Sequence, residues 1–290
     1  MHIRSILCAL DFSEASKSAL RAAAKFARQF SATVHVVFVE EPLLVLVEHG
    51  ASPCPGLLDE LRQFIAGTVD LDLRDEPRLH VAIGEAGPEI VALAKREDVD
   101  LIVMGAHGLT GVRKAFFGST TSRVLKRALV PLLVVPASTD VDKARDLEGL
   151  GSILVLSDFG PAASSAAAFA AGLARAVGAR LVLVHVIPPI SMPPSWRARA
   201  EAAMEERAAQ VHQQMCHAMA LLEGQGPLES VIVEGNIAER VAELARSRRA
   251  GLIVMGLERT EHGPRPGSTA YPVVCSAPVP VLAVPAKTLI

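Results

Sequence analysis

The chain is written twice, and this constrains its fold more than any other feature. Ile6-Leu7-Cys8-Ala9-Leu10-Asp11-Phe12 returns as Ile153-Leu154-Val155-Leu156-Ser157-Asp158-Phe159, an offset of 147 from Asp11 to Asp158. Leu101-Ile102-Val103-Met104-Gly105 returns as Leu252-Ile253-Val254-Met255-Gly256, an offset of 151 from Gly105 to Gly256. Val130-Pro131-Leu132-Leu133-Val134-Val135-Pro136-Ala137 returns as Val279-Pro280-Val281-Leu282-Ala283-Val284-Pro285-Ala286, an offset of 149 from Val130 to Val279. Three blocks in the same order, with so long a unit, are a duplicated domain and not a solenoid repeat. A length of 290 residues agrees, at roughly 100–200 residues per domain. The expected organisation is a first domain over 1–139, a linker over 140–150 and a second domain over 151–290. The linker is placed where Asp140, Asp142, Lys143, Arg145, Asp146 and Glu148 crowd a polar stretch.

Within each copy, short apolar runs alternate with helical patterns. In the first, Ile6–Leu10, Thr33–Val39, Leu79–Ile83, Leu101–Met104 and Leu132–Val135 read as strands. Between them, Ala15–Phe30 carries Ala19, Leu20, Ala23, Phe26 and Ala27 at helical spacing. Further helices are expected from about Pro88 to Arg96 and from about Thr120 to Leu129. Pro88 suits a first helical turn, where its missing N–H has no partner anyway. Strands that are continuously apolar and separated by helices are parallel and covered on both faces. Each half is therefore expected to be a doubly wound, Rossmann-like α/β domain of five parallel strands. Such sheets take ligands at the carboxyl ends of their strands, near the point where strand order reverses.

Composition excludes several functions. Basic and acidic residues number 29 and 31, for a net charge of −2, where a nucleic-acid binder shows a basic surplus or stripe. Nine Phe, one Trp and one Tyr are too few for a base-stacking platform, so no DNA partner is expected. The four cysteines, Cys8, Cys54, Cys216 and Cys275, are far apart and form no C-x-x-C pair. They read as reduced, buried thiols rather than as a zinc site or a disulfide scaffold. The start of the chain has no signal-peptide apolar core, since Asp11 cuts the run. Mean hydropathy is positive, +0.35, but the apolar runs are strand-length and far short of the roughly 20 residues of a membrane helix. A soluble, cytoplasmic protein with no membrane partner is expected.

The chemistry gathers after the fourth strand. Gly105-Ala106-His107-Gly108 is followed by nine residues and then Gly118-Ser119-Thr120. Glycine permits close backbone approach and positive φ, so Gly105 and Gly108 suit a turn whose N–H groups face an anion. Gly118-Ser119-Thr120 falls where a helix begins, with unpaired N–H donors and hydroxyls. The span 105–131 holds Arg113, Lys114, Arg123, Lys126 and Arg127 and no acid. These features describe a phosphate cradle, although glycines in such loops and hydroxyls at helix starts also occur without a ligand.

The pattern resembles the universal stress protein family, whose nucleotide-binding members carry Gly, two residues, Gly, nine residues, Gly, then Ser or Thr. Here these are Gly105, Gly108, Gly118 and Ser119, and the V-M-G-x-H-G context and closing V-P-L-L-V-V-P are similar too. The resemblance covers essentially the whole chain as a tandem pair and implies two adenine nucleotide alpha-hydrolase-like domains. It implies ATP, with Mg²⁺ bridging the phosphates. Adenine would lie near Asp11 and Val39, ribose near Gly105, and phosphates against Gly108, Gly118, Ser119 and Thr120. His107 is either a further phosphate contact or a surface or capping residue. Asp11 either caps the next helix or, with Ser13 as the cap, serves the ligand.

The second copy departs from the pattern. Gly256 persists, Arg259 replaces the second glycine, and seven residues separate Arg259 from Gly267. Glu258 and Glu261 would repel phosphate. Pro272 implies a helix starting near it and not at Ser268. The second site therefore reads as lost or altered, unless Arg259 reaches a phosphate bound in the first half. His185 reads as satisfying a local hydrogen bond. Met204, Ala208, Val211, Met215, Ala218 and Leu222 form a heptad-like stripe on a long helix from Ser195 to about Glu223, a face packed on its own domain or a partner surface.

No P-loop, nucleophile elbow or H-E-x-x-H is present, and no catalytic residue or metal ligand is assigned. The expectation is a non-catalytic, ATP-binding stress-response protein with unknown protein partners. The alternatives are a slow Mg²⁺-dependent ATPase or phosphotransferase, or a scaffold with a vestigial site. The apolar final strands, Leu132–Val135 and Val281–Val284, are expected to pair within the chain as a pseudo-dimer, with a homodimer also possible.

Overall fold

The computed structural model describes residues 2–43, 45, 54–69, 75–107, 118–137, 147–189, 197–224, 226–260, 263–265 and 269–286. The first half runs β1 (Ser5–Leu10), α1 (Glu14–Phe30), β2 (Thr33–Glu40), α2 (Leu57–Thr68), β3 (Arg78–Ile83), α3 (Ala86–Arg96), β4 (Leu101–Gly105), α4 (Ser119–Leu125) and β5 (Leu132–Val135). A 3₁₀ turn, Leu147–Leu150, leads into the second half. There β6 (Ser152–Leu156), α5 (Pro161–Val177), β7 (Arg180–Ile187), α6 (Arg197–Ala220), β8 (Leu228–Glu234) and α7 (Ile237–Ser247) are followed by β9 (Ala250–Thr260), β10 (Gly263–Arg265), α8 (Ala270–Ser276) and β11 (Val281–Pro285).

Each half is a parallel sheet, β3-β2-β1-β4-β5 in one and β8-β7-β6-β9-β11 in the other. Strand order reverses between β1 and β4 and again between β6 and β9, which places the two ligand-binding crevices of such sheets. The halves meet through their final strands. β5 and β11 pair antiparallel, with Leu133 opposite Leu282, so the sheet runs unbroken through both. Each face carries one apolar core that draws on both halves, Leu133 with Leu282 on one side and Leu132 with Val281 on the other. The Gln29 side chain also donates to the Ala176 carbonyl at 2.9 Å, joining α1 to α5.

Local chemistry sets the helix ends. Ser13 caps α1 by accepting from Ser16 N at 3.1 Å, and Pro161 opens α5 in the first turn, where its missing N–H is harmless. Two sequence expectations shift. α3 begins at Ala86 with Pro88 inside its first turn, and α4 stops at Leu125 rather than near Leu129.

Larger departures lie in the second half. β9 does not end after the fourth-strand glycine but runs on to Thr260 and pairs with β10 as an antiparallel hairpin, Arg259 opposite Pro264. Helix α8 begins at Ala270, with Pro272 in its first turn. On α6 the apolar stripe packs only in part. Val211, Met215 and Leu222 are buried, while Met204 and Ala208 are exposed. The buried-thiol reading holds for Cys8 alone. Cys54 and Cys275 are half-buried and Cys216 is exposed on α6, because its position falls off the buried stripe.

Candidate functional site

The first crevice begins with a turn that few residues adopt. Beyond β1, Phe12 takes a left-handed φ of 61°, a conformation that costs a non-glycine residue roughly 1–2 kcal/mol. Its ring packs 5.0 Å from Phe38 and 5.2 Å from Phe64, which offsets that cost and leaves Asp11 at the crevice. The repeat-related Phe159 does the same, with φ 65° and its ring 4.5 Å from that of His185.

Asp11 is held in place. Its Oδ1 accepts from Ser13 N at 3.1 Å and from the Ser16 hydroxyl, while its own N–H donates to Ser16 Oγ at 2.9 Å. Because Ser13 is the helix cap, the Asp11 carboxylate is not spent on that task. Val39, half-buried near the end of β2, forms the neighbouring wall.

The glycines have distinct reasons. A Cβ on Gly105 would lie 2.7 Å from Ala15 Cβ, so this glycine lets β4 pass close under the start of α1. Its φ is not positive, unlike what a turn glycine would need. Gly118 donates its N–H to the Ala106 carbonyl at 3.2 Å and precedes α4. A Cβ there would stand 3.2 Å from that carbonyl oxygen and 3.4 Å from Thr121 Oγ1. The ladder of α4 starts with Ser122 N to Gly118 O, at 2.9 Å. The amides of Ser119, Thr120 and Thr121 thus precede the helical bonds and lie at the crevice.

Asp11, Val39, Gly105, His107, Gly118, Ser119 and Thr120 line one cleft of about 210 Å³. Gly108, together with Arg113 and Lys114, lies outside the described residues. Sequence reasoning missed the apolar wall, Val37, Ile90 and Met104. Its signals were present: Val37 shares a strand face with Val39, and Met104 precedes the glycine turn. The expected basic lining is not seen in Arg123 and Lys126. Arg123 pairs with Glu85 at 3.1 Å, and the Lys126 ammonium lies 5.8 Å from the Tyr271 ring centroid.

The second half keeps a crevice of about 440 Å³ at the equivalent place. Its wall is chemically different, with Glu258 where the first cleft has His107, beside Asp158 and Gly256. His185 also lines it and places Nδ1 2.7 Å from the Ser157 carbonyl. The β9–β10 hairpin occupies the chain positions that form the glycine loop of the first half, so the backbone continues as strand. The Arg259 side chain lies outside the described residues.

A family model described as "Universal stress protein family" matches the chain twice, over residues 2–136 and 150–285. The chain belongs to the universal stress protein family. A universal stress protein of Thermus aquaticus is 34% identical over 137 residues, covering 46% of this chain and 97% of its own length. One from Methanocaldococcus jannaschii is 30% identical over 138 residues, covering 46% of this chain and 81% of its own. The solved structure of a universal stress protein from Archaeoglobus fulgidus aligns over 98% of both chains, with a TM-score of 0.68 and 20% identity. A putative universal stress protein from Pseudomonas aeruginosa aligns over 98% of this chain and 93% of its own, with a TM-score of 0.65 and 18% identity. These likenesses show the fold. This universal stress protein carries the family domain twice, and among its described residues no helix is long and apolar enough to cross a membrane.

Proposed function

We propose that this universal stress protein is a non-catalytic, cytoplasmic ATP-binding protein that signals its nucleotide state to protein partners, with the nucleotide in the first half. The observation that carries the reading is the cleft at the β1–β4 switch point. It joins an apolar wall, a fixed Asp11 carboxylate and the Gly118-Ser119-Thr120 edge, where a Cβ on Gly118 would crowd the Ala106 carbonyl beside the cleft. Val39 and Asp11 would hold the adenosine, with ribose by Gly105. Gly108, Gly118, Ser119 and Thr120 would take the phosphates, with His107 beside them and Mg²⁺ carried by the phosphates. The second crevice would not hold phosphate, because Glu258 adds negative charge where His107 stands in the first. The domain limits that accompany this reading are 1–139 and 151–290, joined by 140–150.

The hydrogen bonding of Asp11 supports a holding role over turnover. The Asp11 Oδ1 already accepts two hydrogen bonds, which leaves that oxygen poorly suited as a general base. The purified full chain, denatured and assayed for released nucleotide, is expected to yield ATP, and the Gly118→Val chain none. Absence of nucleotide, with no binding on adding ATP and Mg²⁺, contradicts the reading. Steady phosphate release that disappears in Gly118→Val contradicts its non-catalytic part.

A further inference from the structure

Toward the β3 edge of the first sheet, three side chains distant in sequence converge. His35 comes from the start of β2, His80 from β3, and Glu97 from the residue that closes α3. His35 pairs in register with Arg78, so His80, two residues on, shares its sheet face. Helix α3 runs antiparallel to the strands and ends over the same place.

We propose that His35, His80 and Glu97 form a binding site for a divalent transition-metal ion, with zinc as the representative. His35 Nδ1 and His80 Nε2 are 3.0 Å apart, and His35 Nδ1 is 3.9 Å from Glu97 Oε2. All three donor atoms lie within 4.8 Å of one another. Ligands on a tetrahedral zinc ion, with bonds near 2.1 Å, stand about 3.4 Å apart. The two measured separations fall on either side of that value, so adjustments of well under an ångström bring these pairs to it. Two imidazoles and one carboxylate are also the donor set of zinc sites that keep one position for water.

The surroundings are arranged for such an ion. His35 is buried at 2% exposure, and its ring stacks on His80 at 5.2 Å between centroids and 11° between planes. The other Glu97 oxygen, Oε1, is held by Arg96 Nε at 3.3 Å, which leaves Oε2 toward the histidines. Partners of that kind orient a ligand without coordinating. The carbonyl end of α3 adds partial negative charge at Glu97. Burial lowers the pKa of both imidazoles; Arg78 acts in the same direction on both and Arg96 on His80, while Glu97 opposes the shift. The hydrogen bond from Arg96 lowers the pKa of Glu97. Arg78 and Arg96 oppose a second cation, but both are exposed and solvent-screened. A bound ion would pin β3, the outermost strand of this half, to β2 and α3.

The competing account is a hydrogen bond between two neutral histidines and nothing more. The full chain, stripped with a chelator, should be titrated with Zn²⁺ beside His80→Gln and Glu97→Gln, both half-exposed positions. Exposed His212, Cys216 and His217 on α6 give any background uptake, common to all three proteins. The expected result is one additional equivalent in the unsubstituted chain. Co²⁺ should give visible absorption of low-coordinate geometry there and lose it in both variants. Zn²⁺ should also raise the melting temperature only of the unsubstituted chain, because the ion binds the folded state. Equal stoichiometry and equal Co²⁺ spectra in all three proteins overturn the proposal, whatever the nucleotide cleft binds.

Discussion

A Cβ added to Gly256 would lie 2.4 Å from both the carbonyl carbon and the oxygen of Ala162, neither of which is a flexible side-chain end. The repeat-related Gly105 meets Ala15 Cβ at 2.7 Å, and Gly118 meets nothing closer than 3.2 Å. Three glycines that look alike in a motif therefore do different work. Gly105, at the end of β4, and Gly256, inside β9, let a strand pass beneath a helix start, whereas Gly118 leaves room beside the Ala106 carbonyl. Gly256→Ala should cost about 2–3 kcal/mol, at the upper end of overpacking penalties, read as a lower urea midpoint. An unchanged midpoint would show that α5 moves aside without strain. Cys8 illustrates the same dependence on surroundings, since burial pushes its thiol pKa far up and disfavours the reactive thiolate.

Elements were legible where apolar pattern alone decides them. Leu132–Val135 is continuously apolar and buried at every position, and its strand limits follow directly from the run. That Asp11, Val39 and the Gly118-Ser119-Thr120 edge share one cleft was expected from the resemblance to the family's motif, whose positions fall at strand ends and a helix start. The β9–β10 hairpin was not. Glu258, Arg259 and Thr260 are polar and form strand because Gly263–Arg265 pairs with them, a long-range term that periodicity does not carry. The stripe on α6 shows the converse. Spacing places Met204 and Met215 on one face, yet only the later part meets the sheet, leaving Met204 45% exposed. The His35–His80–Glu97 cluster left no spacing signal, since strand pairing and the end of α3 bring it together.

The whole molecule is one sheet with shared cores, so neither half owns all the surface it buries. Residues 1–140 alone would expose the β5 edge and the Leu133 face that β11 and Leu282 cover. Light scattering is expected to show that fragment dimeric or aggregated, and a stable monomer would contradict the dependence of one half on the other. The halves also touch beside the cleft. The Ser122 hydroxyl on α4 bonds the Tyr271 hydroxyl on α8 at 3.2 Å, and Lys126 lies near the same ring. Helix α4 begins at the proposed phosphate edge, so a shift there meets the second half directly. The proposed nucleotide belongs to one cleft of a duplicated molecule, in the half with nine residues between its glycines and not the half whose corresponding positions fold into a hairpin. Titration calorimetry of the full chain with ATP and Mg²⁺ tests this most directly. One site per chain is expected, lost in Gly118→Val and retained in Gly267→Val; two equivalent sites per chain would contradict it.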